Sequence, residues 1–164
     1  MSLFEDSRYQ WRETYFVVFP RSRRPDHRST TELLQRLAGD YEVTNQRLDA
    51  QGRIESFTLI STANAAAMDV CYLAGPDVTE QIEQFIREIS GQPLAAPDQQ
   101  RVDELRNCDA RFEIFHFQRC ELTVSAEDDN EEWLDPTALF DVMRILSDAC
   151  GGIGMDPQSG TFVG

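Results

Sequence analysis

No lysine occurs anywhere in the chain: all 15 basic residues among its 164 are arginine. That absence removes whole reaction classes. Schiff-base and pyridoxal phosphate chemistry require a lysine amine, and a phosphate-binding P-loop requires a lysine beside its glycines. Arginine replaces neither, because its guanidinium stays protonated and is no amine nucleophile. Histidine is nearly as scarce. With His27 and His116 alone, neither a three-histidine zinc site nor an H-E-x-x-H helix can be assembled. No serine sits at G-x-S-x-G spacing, so the nucleophile elbow of serine hydrolases is missing. Gly152 and Gly154 give a G-x-G, but Pro157 stands where the third glycine of a dinucleotide fingerprint belongs, and the pair follows a helical pattern instead of a strand.

Long hydrophobic runs are missing too. No stretch approaches the roughly 18 apolar residues of a spanning helix, and residues 1–30 hold no apolar run flanked by basic residues. The expectation is a soluble, cytoplasmic protein. Cys71, Cys108, Cys120 and Cys150 form no C-x-x-C pair, so four reduced, mostly buried thiols are expected in preference to a disulfide framework. Neither a metal nor a cofactor is expected.

What the chain has in excess is negative charge. Against the 15 arginines stand 29 acidic residues, giving a formal charge of −14 and a pI near 4.4. Phosphate backbones and anionic lipid repel such a polyanion, which argues against nucleic acid and membrane surfaces as partners. A hydrophobic share of 41% with 27% charged residues is that of a folded chain. The length suits a single compact domain over 1–164 that buries roughly 70% of its unfolded surface.

Periodicity supplies the elements. Residues 13–19 are β-branched and aromatic up to Pro20, as in a strand buried on both faces. After the charged loop 21–28, Ser29 and Glu32 form a capping box into Leu33, Leu34 and Leu37, with Gly39 as the stop. Residues 41–48 and 53–60 read as a hairpin around D-A-Q-G, and 68–73 as a further strand. Asp77 with Glu80 caps an amphipathic helix over 78–90 carrying Val78, Ile82, Phe85, Ile86 and Ile89. G-Q-P-L-A-A-P at 91–97 resembles a linker between pseudo-halves 1–90 and 98–164, followed by a polar helical turn at 98–107. Residues 111–117 are a strand that continues or turns back through 122–124. Asp135 and Pro136 start a helix over 136–150 whose wide apolar face, Ala149 included, predicts packing on two sides. A tight turn is expected at 156–160. The order of elements predicts an α+β fold: a largely antiparallel sheet with helices packed on one face, arranged as a ferredoxin-like unit or two ferredoxin-like halves.

Four constellations are candidates for chemistry. Arg21, Arg23, Arg24, His27 and Arg28 precede a helix start offering Ser29, Thr30 and free backbone N–H groups, the composition of an anion site. The competing explanation is that these cations offset the protein's own carboxylates. His116 with Cys108 and Cys120 suggests zinc, but four residues of extended strand span about 13 Å, too far for one ion. Glu127, Asp128, Asp129, Glu131 and Glu132 lack the alternation and central glycine of a calcium loop, and read as a solvated loop or a contact surface for a basic partner. Asp156 lies among glycines, which a hairpin turn explains.

The charge balance and the poor catalytic inventory together favour a non-catalytic acidic module that recognises a protein partner, and its negative charge suits a basic one. The alternative is a small enzyme or binding protein for an anionic metabolite that uses the arginine loop. Homo-oligomerisation stays open, since free strand edges are not legible in sequence.

Overall fold

The computed structural model describes residues 2–37, 41–120 and 137–163. Its β-branched and aromatic segments become seven strands: β1 (Tyr9–Phe19), β2 (Glu42–Leu48), β3 (Ile54–Ser61), β4 (Ala66–Ala74), β5 (Ala110–Arg119), β6 (Ile153–Asp156) and β7 (Thr161–Val163). They form one sheet in the order β2-β3-β4-β5-β1-β6-β7 with every ladder antiparallel. The long β1, expected only from residue 13, begins at Tyr9 and passes a bulge between Trp11 and Glu13.

Four helices complete the α+β fold: α1 (His27–Leu34), α2 (Pro76–Ile89), α3 (Ala96–Leu105) and α4 (Thr137–Cys150). Alternation along β1 shows how they are distributed. Val17 and Phe19 point into a core shared with Leu34 of α1 and Leu139, Val142, Met143 and Leu146 of α4. Val18 points the other way, against Val78, Ile82 and Ile86 of α2 and Val102 and Leu105 of α3. The expected single helical layer therefore holds only α1 and α4. The apolar stripe of α2 needs a cover of its own, and the face carrying Val18, Ile153 and Met155 provides it. The segment 91–97, expected as an inter-half linker, lies at the join of the α2–α3 pair, with α3 already starting at Ala96. Strands from both sides of it interleave, because β1 lies between β5 and β6.

Helix ends correct two further details. The N-cap of α1 is Asp26, whose carboxylate accepts from the backbone N–H groups of Arg28 and Ser29, so Ser29 sits inside the helix instead of capping it. For α2, Gly75 takes the N-cap position without a side-chain bond and Pro76 opens the helix, leaving Asp77 in the first turn. Helix α4 ends at glycine. Gly151 takes a left-handed φ of 60° and Gly152 N–H donates back to Ser147 O at 2.9 Å, a Schellman-type stop. Packing of α4 is narrower than expected: it rests on the sheet and touches α1, but Ala149 and Phe140 are exposed. The start of that helix at 136, its cap at Asp135 and the strand at 122–124 lie outside the described residues.

Candidate functional site

The loop at 21–28 comes first, since it carries the densest positive charge. The structure sends its cations to different partners. Arg21 donates from its backbone N–H to Asp109 Oδ1 at 2.7 Å and pairs through Nε with Oδ2 at 3.0 Å. Arg23 lies over the C-terminal end of α4, where its Nη1 would stand 2.9 Å from a Cβ placed on Gly151. The carbonyl-rich end of a helix favours a cation there. Arg24 is the most enclosed: its side chain is 11% exposed, Nε donates to Ile54 O at 2.8 Å, Nη1 faces Asp49 at 3.3 Å, and the guanidinium stacks 3.9 Å from the Tyr72 ring centre. His27 Nε2 meets Gln46 Oε1, and Arg28 reaches Glu32 at 3.6 Å along its own helix. The Ser29 hydroxyl donates to Asp26 at 3.3 Å, and Thr30 is fully buried.

These groups diverge, and the anion position at the start of α1 is already filled. The Asp26 carboxylate occupies it, held below the usual carboxylate range by the backbone N–H groups of Arg28 and Ser29. An external phosphate at that terminus would meet a negative charge. Arg21, Arg24 and Arg28 face carboxylates of the chain itself, and one buried nitrogen of Arg24, Nη2, has no hydrogen-bond partner among the described residues.

The residues of the zinc hypothesis are also separated. Cys108 precedes β5 and packs with the α2–α3 core, whereas His116 faces the α1–α4 side and Cys120 follows the strand, exposed. His116 is 1% exposed. Its Nδ1 lies 3.2 Å from Glu13 Oε1 on the neighbouring strand, and its Nε2 has no hydrogen-bond partner among the described residues. Burial pushes its pKa down, and the Glu13 carboxylate partly opposes this. Among the described residues no group of three His, Cys, Asp or Glu side chains could hold a metal ion. Asp156 accepts from the N–H groups of Gln158 and Ser159 and from the Ser159 hydroxyl, which closes the β6–β7 turn. The acidic run Glu127, Asp128, Asp129, Glu131 and Glu132 lies outside the described residues.

Two clusters escaped sequence reasoning, both on the sheet face that carries α2 and α3. Asp69, 8% exposed in mid-strand, accepts the Thr58 hydroxyl at 2.6 Å, the Leu3 N–H at 2.9 Å and the Ser2 hydroxyl at 3.3 Å. It thereby fastens a short 3-10 turn at Leu3–Glu5 over Ala67 and Phe117. A lone aspartate within the run M-D-V-C-Y was the available signal. Arg111, also 8% exposed, lies 4.1 Å from the centre of the Phe16 ring, donates to Glu113 from Nε at 3.1 Å and Nη2 at 2.5 Å, and meets Gln81 Oε1 through Nη1. Beside it a cleft of about 170 Å³ opens between α2 and the sheet.

The outer surface of the α2–α3 pair bears Asp77, Glu80, Glu83, Glu88, Asp98, Asp103 and Glu104, against Arg87, Arg101 and, just past α3, Arg106. The other helical layer is close to balanced, with Arg28 and Arg144 against Glu32, Asp141 and Asp148. The described helices include none long and apolar enough to cross a membrane. Comparison with protein-family models, with curated protein sequences and with solved structures yields no match for this chain.

Proposed function

We propose that the protein is a non-catalytic module of the cytoplasm that recognises a basic protein partner through the acidic outer surface of α2 and α3. One observation carries this reading: seven carboxylates share that layer with three guanidinium groups, and of the loop arginines Arg24 and Arg28 pair with Asp49 and Glu32, while Arg21, held by Asp109, borders the layer beside Glu80 and Glu83. Such a surface speeds association with a cationic partner and repels nucleic acid and anionic lipid. Four free thiols suit a reducing compartment, and burial raises the pKa of Cys108 to about 11 and of Cys150 to about 12.

The test is capture from extracts of the source cell at low and moderate salt. It uses the wild-type chain and a variant carrying Glu80→Gln, Glu83→Gln, Asp103→Asn and Glu104→Gln. The expected result is a partner that added salt weakens and the variant loses. A partner held equally by the variant overturns the reading. A rise in melting temperature with phosphate that vanishes in Arg23→Gln would instead support the anionic-metabolite alternative.

A further inference from the structure

The cleft beside Arg111 has a defined build. Its floor is Val18 of β1, Ile82 of α2 and Met155 of β6, all buried, and its walls are the half-buried rings of Phe16 and Phe85. Strand register explains the floor: Phe16 pairs with Met155, and Val18 with both Ile153 and Arg111, so these side chains share the face under α2. Gln81, Gln84 and Glu88, exposed on one flank of α2, form the rim.

Size and charge select the occupant. A volume of about 170 Å³ falls below the roughly 300–1,000 Å³ of sites that enclose a drug-sized molecule, but suits a single large side chain. Among the described residues the cation lining it is Arg111, which Glu113 neutralises at 2.5 Å, so an anionic ligand finds no uncompensated charge on those residues. Charge at the mouth is negative, because Glu88 stands on the rim and the outer surface of α2 and α3 beyond it carries the acidic excess described above. We infer that this cleft receives an aromatic or long aliphatic anchor side chain from a partner protein segment in which arginine or lysine flanks the anchor. The inference rests on the acidic-module reading and adds to it a point of attachment. An acidic surface alone attracts any polycation, whereas an apolar socket discriminates among them, since interface energy concentrates in a few enclosed anchors.

NMR titration of the full chain tests this with blocked pentapeptides as probes: tryptophan between two arginines on each side, the same peptide with glycine at the centre, and tryptophan between glutamates. The expected result is saturable shifts of the Met155 and Ile82 methyl groups with the arginine–tryptophan peptide. Binding of the glycine peptide should be weaker by about tenfold or more, as burial of one large apolar side chain implies, and the glutamate peptide should leave these methyls unmoved. Gln84→Trp, an exposed substitution that closes the mouth from the rim, should weaken the arginine–tryptophan peptide by a comparable factor. Equal affinities for the tryptophan and glycine peptides, unmoved Met155 and Ile82 methyls, or undiminished binding by Gln84→Trp would each overturn the socket. Because the probes are independent of any cellular partner, the two readings fail separately. Salt-sensitive capture without seating of the tryptophan peptide refutes the cleft alone, and a seated peptide with a partner indifferent to the charge variant refutes the acidic face alone.

Discussion

Replacing Asp69 by alanine should release the N-terminal turn and cost far more than loss of a surface carboxylate. In the folded chain this carboxylate is the acceptor for two donors with little access to water, the Thr58 hydroxyl at 2.6 Å and the Leu3 N–H at 2.9 Å. Leaving a buried donor unsatisfied costs about 1–3 kcal/mol. If both stay in place, the penalty is about 2–6 kcal/mol. The chain can avoid part of it by letting the turn at Leu3–Glu5 swing out, which rehydrates the Leu3 N–H but exposes Leu3, at about 1.5–3 kcal/mol for an apolar side chain. The cheaper route sets the measured value, so a destabilisation of about 2–4 kcal/mol is expected. At this chain length that lowers the melting temperature by roughly 4–16 °C. Urea denaturation gives the magnitude, and hydrogen exchange separates the two routes: rapid exchange of the Leu3 amide with the β4–β5 ladder still protected marks the swung-out turn. Thr58→Val with Asp69→Ala in a double-mutant cycle should show strong coupling. A loss below about 1 kcal/mol with the Leu3 amide still protected would refute the account.

Three other outcomes follow from features already described. Arg24→Gln should cost about 1–3 kcal/mol, because its guanidinium serves the Ile54 carbonyl and stacks on Tyr72, whereas Arg28→Gln should change stability by only a few tenths; equal effects in urea melts would contradict the distinction. His116 has a folded pKa below its ordinary value, so the unfolded chain binds that proton more readily, and its contribution to stability is present above about pH 6.5 and is lost as pH falls through the folded pKa. Stability curves of the wild type and His116→Gln should therefore diverge below about pH 6.5, and parallel curves there would refute the assignment. A thiol reagent at pH 8 should label exposed Cys120 quickly and leave Cys108 and Cys150 unreacted until the chain unfolds, as their burial and raised pKa require; rapid labelling of all four would count against this core.

How much of this could be read from the residues varied with the range of the forces involved. The β2–β3 hairpin, the stripe of α2 and the end of α4 at Gly151 were legible because each rests on local periodicity or turn chemistry. The distribution of helices over two faces was not, since the strand pattern at Phe16–Phe19 is apolar on both sides and leaves open which helix covers which side. Capping at α1 went to Asp26 because Pro25 and the bridge from Asp26 to Arg53 fix where the chain enters the helix, a contact beyond sequence neighbours. The arginine loop showed its charge but not its partners: Asp109 lies 88 residues from Arg21. Asp69 and Arg111 passed as ordinary strand residues because a charged residue in a strand normally faces water, and only the sheet places these two beneath other elements.

The position of β1 constrains how the chain can assemble. It is the first of these seven strands along the chain, yet its neighbours are β5 and β6, with Tyr9 opposite Arg119 and Phe16 opposite Met155. Until those strands exist, the run T-Y-F-V-V-F has no native ladder to join. Assembly must therefore close very long loops before the centre of the sheet forms, a topology associated with slow folding and with apolar strands exposed in the interim. The β2–β3–β4 meander, by contrast, can pair as soon as it emerges. Cleaving the chain between α2 and α3 should leave two pieces that cannot complete the sheet alone and do so only when mixed, each lending strands to the other.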